Sequence, residues 1–241
     1  KALFNRLKFA KINRVVCNSQ FTKSLIDKEY GVKSQVVYPP VAIDQIRPLK
    51  KENIILFVGR FSQLQQTKGQ HILIDVFKRL YEKHLHSWKL IIIGGSDVGR
   101  SKYVDYLKKE GQGYPVEILE NLPFSEVKKF YGRAKIFWSA SGFGVDQLEE
   151  PQKVEHFGIS VVEAMSAACV PIVVNLGGHK EIVDDKKDGF LWNSLDELAK
   201  ITLDMVSNER SRDKIAQKAQ EKSKNFSQER FEKELLQIIE S

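Results

Sequence analysis

From Ile54 onward, short apolar runs alternate with stretches in which apolar residues recur every three or four positions. The runs IILFVG, KLIIIGG, VEILENL, KIFWSAS and VPIVVN are rich in Ile and Val, and most end in Gly, Asn or Ser. Short length, continuous apolarity and β-branched content predict strands buried on both faces, as in a parallel sheet. Between them, QHILIDVFKRLYEKH sets Ile72, Leu73, Val76, Phe77 and Leu80 on one helical face. SKYVDYLKKEG and PFSEVKKFYGRA repeat that periodicity, the second opened by Pro123 and Ser125 in positions that favour a helix start. Alternation of strand and helix predicts the α/β class and a doubly wound, Rossmann-like parallel sheet. In such sheets ligands bind outside the carboxyl ends of the strands, where these Gly-rich turns fall.

Before Ile54 the pattern changes. RVVCNS reads as a strand, QFTKSLIDKEYG as a capped helix ending at Gly31, and KSQVVYPPVAI as a strand running into a proline-bearing connector. Pro39 and Pro40 stiffen that connector, so a boundary is placed there. Residues 1–40 are expected to be the tail of a preceding domain with its linker, because one strand–helix unit is too small to stand alone. Residues 41–241 form the main domain, closed by helices from Leu195 to the C-terminus.

Composition changes this picture little. A chain of 241 residues with 42% hydrophobic content can bury a full core. Cys17 and Cys169 are too few for a disulfide framework or a zinc site and read as small buried hydrophobes in a reducing compartment. No apolar run approaches the ~20 residues that span a bilayer, and no signal-peptide pattern opens the chain, so a soluble, cytoplasmic protein is expected. The first residue is Lys1, and the sequence is expected to be a piece of something longer.

Charge is more informative once located. The net +7 falls wholly within residues 1–50, which hold ten Lys and Arg against three Asp and Glu. No zinc finger, RNP-type strand or helix-turn-helix accompanies it, which argues against nucleic acid. KALFNRLKFAKINR places Leu3, Phe4 and Leu7 at helical spacing among Lys1, Arg6, Lys8, Lys11 and Arg14. Two readings stay open for residues 1–14: a basic amphipathic helix resting on the anionic cytoplasmic face of a membrane, or a packed helix with a solvated charged face.

The candidate chemistry lies in EHFGISVVEAMSAACVPIVVNLGG, where Glu155 and Glu163 are separated by seven residues. A helix starting near Gly158 would leave its first N–H groups unpaired and carry partial positive charge, a ready seat for phosphate. Glu163 then lies just over one turn in, where a carboxylate can accept two ribose hydroxyls. Glu155 precedes the helix, where the far end of a nucleotide diphosphate sugar would sit. The alternative is two solvent-facing carboxylates, one of them steadying the helix start. The turn GGSDVG brings Gly94, Gly95 and Ser96 toward the same crevice, without the G-x-G-x-x-G spacing of a dinucleotide oxidoreductase.

EHFGISVVEAM, followed by VPIVVNLGGHKEIVDDKKDGFL, resembles the signature of the group 1 glycosyltransferases, retaining enzymes of the GT-B fold. RVVCNSQFTKSLI is similar to the last strand–helix unit of their N-terminal domain, YPPVAID to the linker, and ILFVGRFSQLQQTKGQHILIDVF to the opening of the C-terminal domain. By that resemblance Glu155 binds hydroxyls of the donor sugar beside the N–H groups of Phe157 and Gly158, and Glu163 holds the ribose. The N–H groups of Ile159, Ser160 and Val161 face the diphosphate. Arg60 after Gly59, and Lys68, neutralise the departing diphosphate in place of a metal. Ile118 and Leu119 meet the base. The implied reaction moves a hexose from GDP-mannose or a UDP-sugar to a hydroxyl of a glycan or lipid-linked acceptor, by front-side attack and without cofactor. The chain alone is expected to be inactive without the full N-terminal domain. A non-catalytic nucleotide-sugar-binding or assembly module of the same fold is the alternative.

Three features depart from the family pattern. The loop FSQLQQT is longer than usual. His179 stands where the family often has proline, as a turn residue or a polar contact near the sugar. The loop SGFGVDQLEEPQKV is long and acidic through Asp146, Glu149 and Glu150, either solvated or shaping the acceptor side.

Overall fold

The computed structural model describes residues 12–61, 68–96 and 102–240. Most of the basic leading segment, the FSQLQQT loop beyond Phe61 and the end of the GGSDVG turn lie outside the described residues. The chain opens with β1 (Val16–Cys17), α1 (Gln20–Tyr30) and β2 (Gln35–Val36). β1 and β2 pair in parallel, Val16 opposite Gln35 and Cys17 opposite Val36, as a two-stranded sheet of their own. Ser19 caps α1 by accepting the Thr22 N–H, and Gly31 ends it at φ 68 in the left-handed region, as the sequence predicts.

The main sheet follows. Its elements are β3 (Glu52–Val58), α2 (Gln70–Tyr81), β4 (Lys89–Gly94), α3 (Lys102–Glu110), β5 (Val116–Glu120), α4 (Phe124–Arg133), β6 (Ala134–Ser139), α5 (Ile159–Ser166), β7 (Val170–Val174), α6 (His179–Ile182) and β8 (Phe190–Trp192). The strands lie in the order β5-β4-β3-β6-β7-β8, every neighbour parallel. The order reverses between β3 and β6, so the loops leaving these two strands turn opposite ways and open a crevice at their carboxyl ends.

Side-chain alternation along each strand sorts the core into two layers. Ile55, Phe57, Leu90, Ile92, Ile136 and Trp138 pack toward α2 and α3. Ile54, Leu56, Ile91, Ile93 and Phe137 pack toward α4 and α5. Each such side chain contributes about 1.5–3 kcal/mol on burial, which explains why segments 54–57, 90–93 and 136–138 carry no polar residue; β5, at the sheet edge, is only half-buried, not buried on both faces as expected. Trp138 Nε1 is satisfied by Thr202 Oγ1 at 3.1 Å.

Beyond β8 the helical region divides into α7 (Leu195–Ser207), α8 (Glu209–Ser223) and α9 (Gln228–Glu240). Asn208 makes the first break, accepting the Ser211 N–H at 2.9 Å to cap α8. Arg212, buried, seals the junction by donating to the Met205 carbonyl at 3.0 Å. α9 then returns to the connector, where Arg230 donates to the Tyr38 carbonyl at 2.9 Å. Among the described residues no helix is long and apolar enough to cross a membrane.

Candidate functional site

The expected residues gather at the reversal point of the sheet. Gly59 ends β3 and donates its N–H to the Ile93 carbonyl at 2.9 Å, and Phe61 donates to the Gly95 carbonyl at 2.9 Å, so the first two strand ends are tied together. Arg60 between them is exposed, its backbone carbonyl fixed by Gln70 Nε2 at 2.9 Å. Ser96 is tied to the end of β5: its N–H donates to Asn121 Oδ1 at 3.1 Å and its hydroxyl to Glu120 Oε2 at 3.2 Å. Ile118 and Leu119 lie within β5 with their side chains packed on opposite layers. The strand ends beyond them at Glu120, and Asn121 follows in the left-handed region at φ 53.

Lys68 and Glu155, expected as separate contacts, meet directly. Lys68 Nζ lies 2.7 Å from Glu155 Oε2, with side-chain exposures of 11% and 19%. Burial alone would raise the Glu155 pKa, but the Lys68 ammonium and the neighbouring imidazoles of His179 and His156 outweigh it and hold the carboxyl below its ordinary value. Glu155 is therefore an ionised group in a largely dry place, paired with the cation that keeps it so.

The backbone of Glu155 is fixed from the turn after β7. Gly178 donates its N–H to the Glu155 carbonyl at 2.8 Å. Gly177 sits at φ 54, and a Cβ there would stand 2.1 Å from the Glu155 carbonyl oxygen, so only glycine admits this crossing. Gln147, from the acidic loop, accepts the Gly177 N–H at 3.1 Å. The loop carrying Asp146, Glu149 and Glu150 is thus anchored to that turn, with Phe143 packed on Trp192 at 5.0 Å, while Glu150 pairs with Lys153 and Asp146 accepts the Leu148 N–H at 2.8 Å.

Gly158 caps α5 at φ 116. That left-handed backbone is one that glycine adopts without strain. A Cβ there would point inward, 3.2 Å from Ile182 Cδ1 and 3.3 Å from His179 Cδ2. Of the three N–H groups expected to face a diphosphate, that of Val161 is used within the helix, donating to the Gly158 carbonyl at 3.0 Å. Those of Ile159 and Ser160 have no hydrogen-bond partner among the described residues. Phe157 is buried, stacked on Tyr38 at 5.6 Å.

His179 is enclosed. Its Nδ1 donates to the Val174 carbonyl at 3.0 Å, leaving Nε2 to face the Ser139 hydroxyl at 3.4 Å. Burial lowers its pKa, opposed by the Glu155 charge, and the ring packs beneath Glu155. His179 opens α6 and is not a turn residue. Cys17 and Cys169 are free and buried, and among the described residues no group of three or more His, Cys, Asp or Glu could hold a metal ion.

Tyr131 is a site residue that sequence reasoning missed. From α4 it donates its hydroxyl to Glu163 Oε2 at 2.7 Å, and it is fully buried. Burial raises the Glu163 pKa and this hydrogen bond opposes the rise. Its spacing four residues from Val127 marks a core face and says nothing of the hydroxyl.

Tyr131→Phe is expected to cost about 1.5–3 kcal/mol at neutral pH, the value of a hydrogen bond to a charged group. Glu163 then rises further, and a group raised in the folded state gives stability that is lost as pH rises through its folded pKa. The deficit should accordingly grow from mild acid to neutral pH. Urea midpoints of both proteins across that range check this, and a pH-independent deficit would refute it.

Comparison with known proteins adds to this geometry. The sequence profile of a family described as glycosyl transferases group 1 matches residues 42–222. The chain is 27% identical, over 96% of its own length and 47% of the relative's, to a GDP-Man:Man(3)GlcNAc(2)-PP-Dol alpha-1,2-mannosyltransferase of Dictyostelium discoideum. It is 31% identical to the Xenopus laevis protein of that name, over 85% of this chain and 43% of the relative. The chain thus spans about half the length of these curated relatives. Among solved structures, Anabaena Alr3699/HepE in complex with UDP and glucose superposes with a TM-score of 0.80 at 20% identity, covering 100% of this chain and 67% of that one. That likeness shows the fold, GT-B.

Proposed function

Because the chain belongs to the group 1 glycosyltransferases, we propose that it is the donor-binding half of a retaining hexosyltransferase that moves mannose from GDP-mannose to an acceptor hydroxyl. The observation that carries this reading is the arrangement at the reversal point. A buried, ionised Glu155 is held by Lys68 immediately before a helix that presents the unpaired N–H groups of Ile159 and Ser160, with Glu163 fixed one turn further by Tyr131. GDP-mannose is preferred over a UDP-sugar because the relatives whose name carries GDP-Man match most of this chain, whereas the UDP-bound structure shares only the fold.

In this mechanism the diphosphate lies against the start of α5, where aligned N–H groups and the helix dipole favour negative charge. Glu163 accepts the ribose hydroxyls and Glu155 those of the hexose. As the sugar–phosphate bond breaks, charge grows on the diphosphate, and Arg60 and Lys68 stabilise it without reorganisation. The acceptor hydroxyl enters on the same face of the oxocarbenium-like sugar and passes its proton to the departing phosphate oxygen, so configuration is retained. No metal or cofactor is assigned a step. A glycan or lipid-linked acceptor would be held by a further domain.

Thermal-shift measurement of this chain against GDP, UDP, ADP, NAD, GDP-mannose and UDP-glucose tests the reading, since only a ligand of the native state raises the midpoint. GDP and GDP-mannose are expected to stabilise most, by about 2.7 kcal/mol at a hundred times the dissociation constant. Preference for UDP-glucose would overturn the donor; preference for NAD would overturn the class. The chain should bind donor yet transfer no sugar, and robust transfer by these 241 residues would contradict the division of labour.

A further inference from the structure

The first three N–H groups of α1, those of Gln20, Phe21 and Thr22, have no intrahelical partner. Ser19 satisfies one of them, its hydroxyl accepting the Thr22 N–H at 3.0 Å, while its carbonyl accepts the first bond of the helical ladder from the Lys23 N–H at 2.9 Å. The other two, from Gln20 and Phe21, donate to the two oxygens of one carboxylate, Glu181, at 2.7 and 2.8 Å. A full negative charge from about 160 residues along the chain thus sits on the positive end of the helix, where it is favoured.

Glu181 belongs to α6, and α6 follows directly on the Gly177–Gly178 turn that clamps the Glu155 carbonyl. The N-terminal unit touches the same loop twice more. The Phe21 ring lies 6.1 Å from that of His156, and Tyr38 stacks on Phe157 at 5.6 Å with 27° between the planes. Tyr38 is held from its other side by Arg230, whose guanidinium lies 5.4 Å over the ring, and by the edge contact with Phe226 at 5.4 Å. Burial, with the Glu181 carboxylate nearby, pushes the Tyr38 hydroxyl up to about 12, so it stays neutral beside that charge. Residues 20, 21 and 38 therefore grip His156 and Phe157 of the loop and Glu181 of the helix that follows its support.

We propose that Glu181 is a positioning residue that docks the strand–helix unit of residues 16–37 onto the loop of residues 155–158, so that the placement of Glu155 and the seating of the unit are set together. The functional consequence rests on the reading of Glu155 as the sugar-binding group; the docking does not. Both carboxylate oxygens are in use, which accounts for a glutamate here. A glutamine would keep one acceptor and turn its NH2 group toward an N–H donor.

The test compares the parent chain with Glu181→Ala and Glu181→Gln, each checked for a cooperative melt, by amide hydrogen exchange and by calorimetry with GDP and GDP-mannose. In Glu181→Ala the Gln20 and Phe21 amides are expected to exchange at least about tenfold faster, as local opening no longer breaks two charged hydrogen bonds. The Gly178 amide, which donates to the Glu155 carbonyl, should accelerate with them. The affinity gap between GDP-mannose and GDP should narrow while GDP itself binds as before. Glu181→Gln should fall between parent and alanine, and it alone suffices if the alanine variant does not fold. Unchanged exchange at Gln20 and Phe21 overturns the docking, and accelerated exchange there with Gly178 unaffected overturns the coupling to the loop. If the parent shows no gap between the two ligands, the reading of Glu155 has failed, and the three amides still decide the proposal.

Discussion

Lys68→Ala is expected to lower the unfolding free energy by about 3–5 kcal/mol, the usual cost of removing one partner from a buried ion pair. The pair is short, at 2.7 Å, and neither side chain is more than one-fifth exposed. What remains after the substitution is a carboxylate in a largely dry site with its principal cation gone. The sign of the pH dependence follows. In the parent, Glu155 is depressed, so its stabilising contribution is present above the unfolded value and is lost as pH falls through the folded one. Without Lys68, burial, the largest single influence on this group, is opposed only by the two imidazoles, and Glu155 is pushed toward the neutral form. The difference between parent and variant should therefore be small in acid and largest at neutral pH. Adding Glu155→Gln to Lys68→Ala should recover most of the loss, because the uncompensated charge is gone while the shape remains. Urea unfolding of the four proteins, with slopes unchanged, measures this. A loss below about 1 kcal/mol for the single variant, or no recovery in the double, would show that the pair is worth no more than a surface contact.

The fold was largely visible in the chain because burial on both faces leaves an unbroken apolar run. Ile54–Phe57 and Leu90–Ile93 could hardly be anything but inner strands. What escaped notice was short. β8 is three residues and α6 four, less than one period of either pattern, and both are fixed by their neighbours. The site was legible in its carboxylates and glycines but not in their partners. Glu155 and Lys68 stand 87 positions apart, Tyr131 and Glu163 stand 32 apart, and no local rule joins such residues. Gly158 shows the same limit in another form: the motif marks the residue, but its packing against Ile182 and His179 exists only once α6 has been placed. His179, expected at a turn or near the sugar, lies under the floor of the site because Val174 and Ser139 bind its ring there.

The two glutamates should part company when each is removed. Glu163→Ala is expected to weaken GDP and GDP-mannose alike, by the ~1.5–3 kcal/mol of hydrogen bonds to a charged group, roughly ten- to a hundredfold in affinity. Its pKa is raised by burial, and only the ionised form can accept both ribose hydroxyls, so the parent's affinity should already decline on acidification at a higher pH than an ordinary glutamate would dictate. Glu155→Ala should behave otherwise. Its partner in the ligand is the hexose, so bare GDP is expected to keep its affinity while the increment contributed by the sugar disappears. The Lys68 pairing adds a further consequence: once Glu155 is gone, the ammonium that it held at 2.7 Å no longer shares its charge with that carboxylate, and GDP should bind as well as before or more tightly. Calorimetry of both ligands on both variants decides between the roles. If Glu155→Ala weakens GDP as much as Glu163→Ala does, Glu155 reaches the nucleotide rather than the sugar, and the orientation of the donor in this cleft must be reversed.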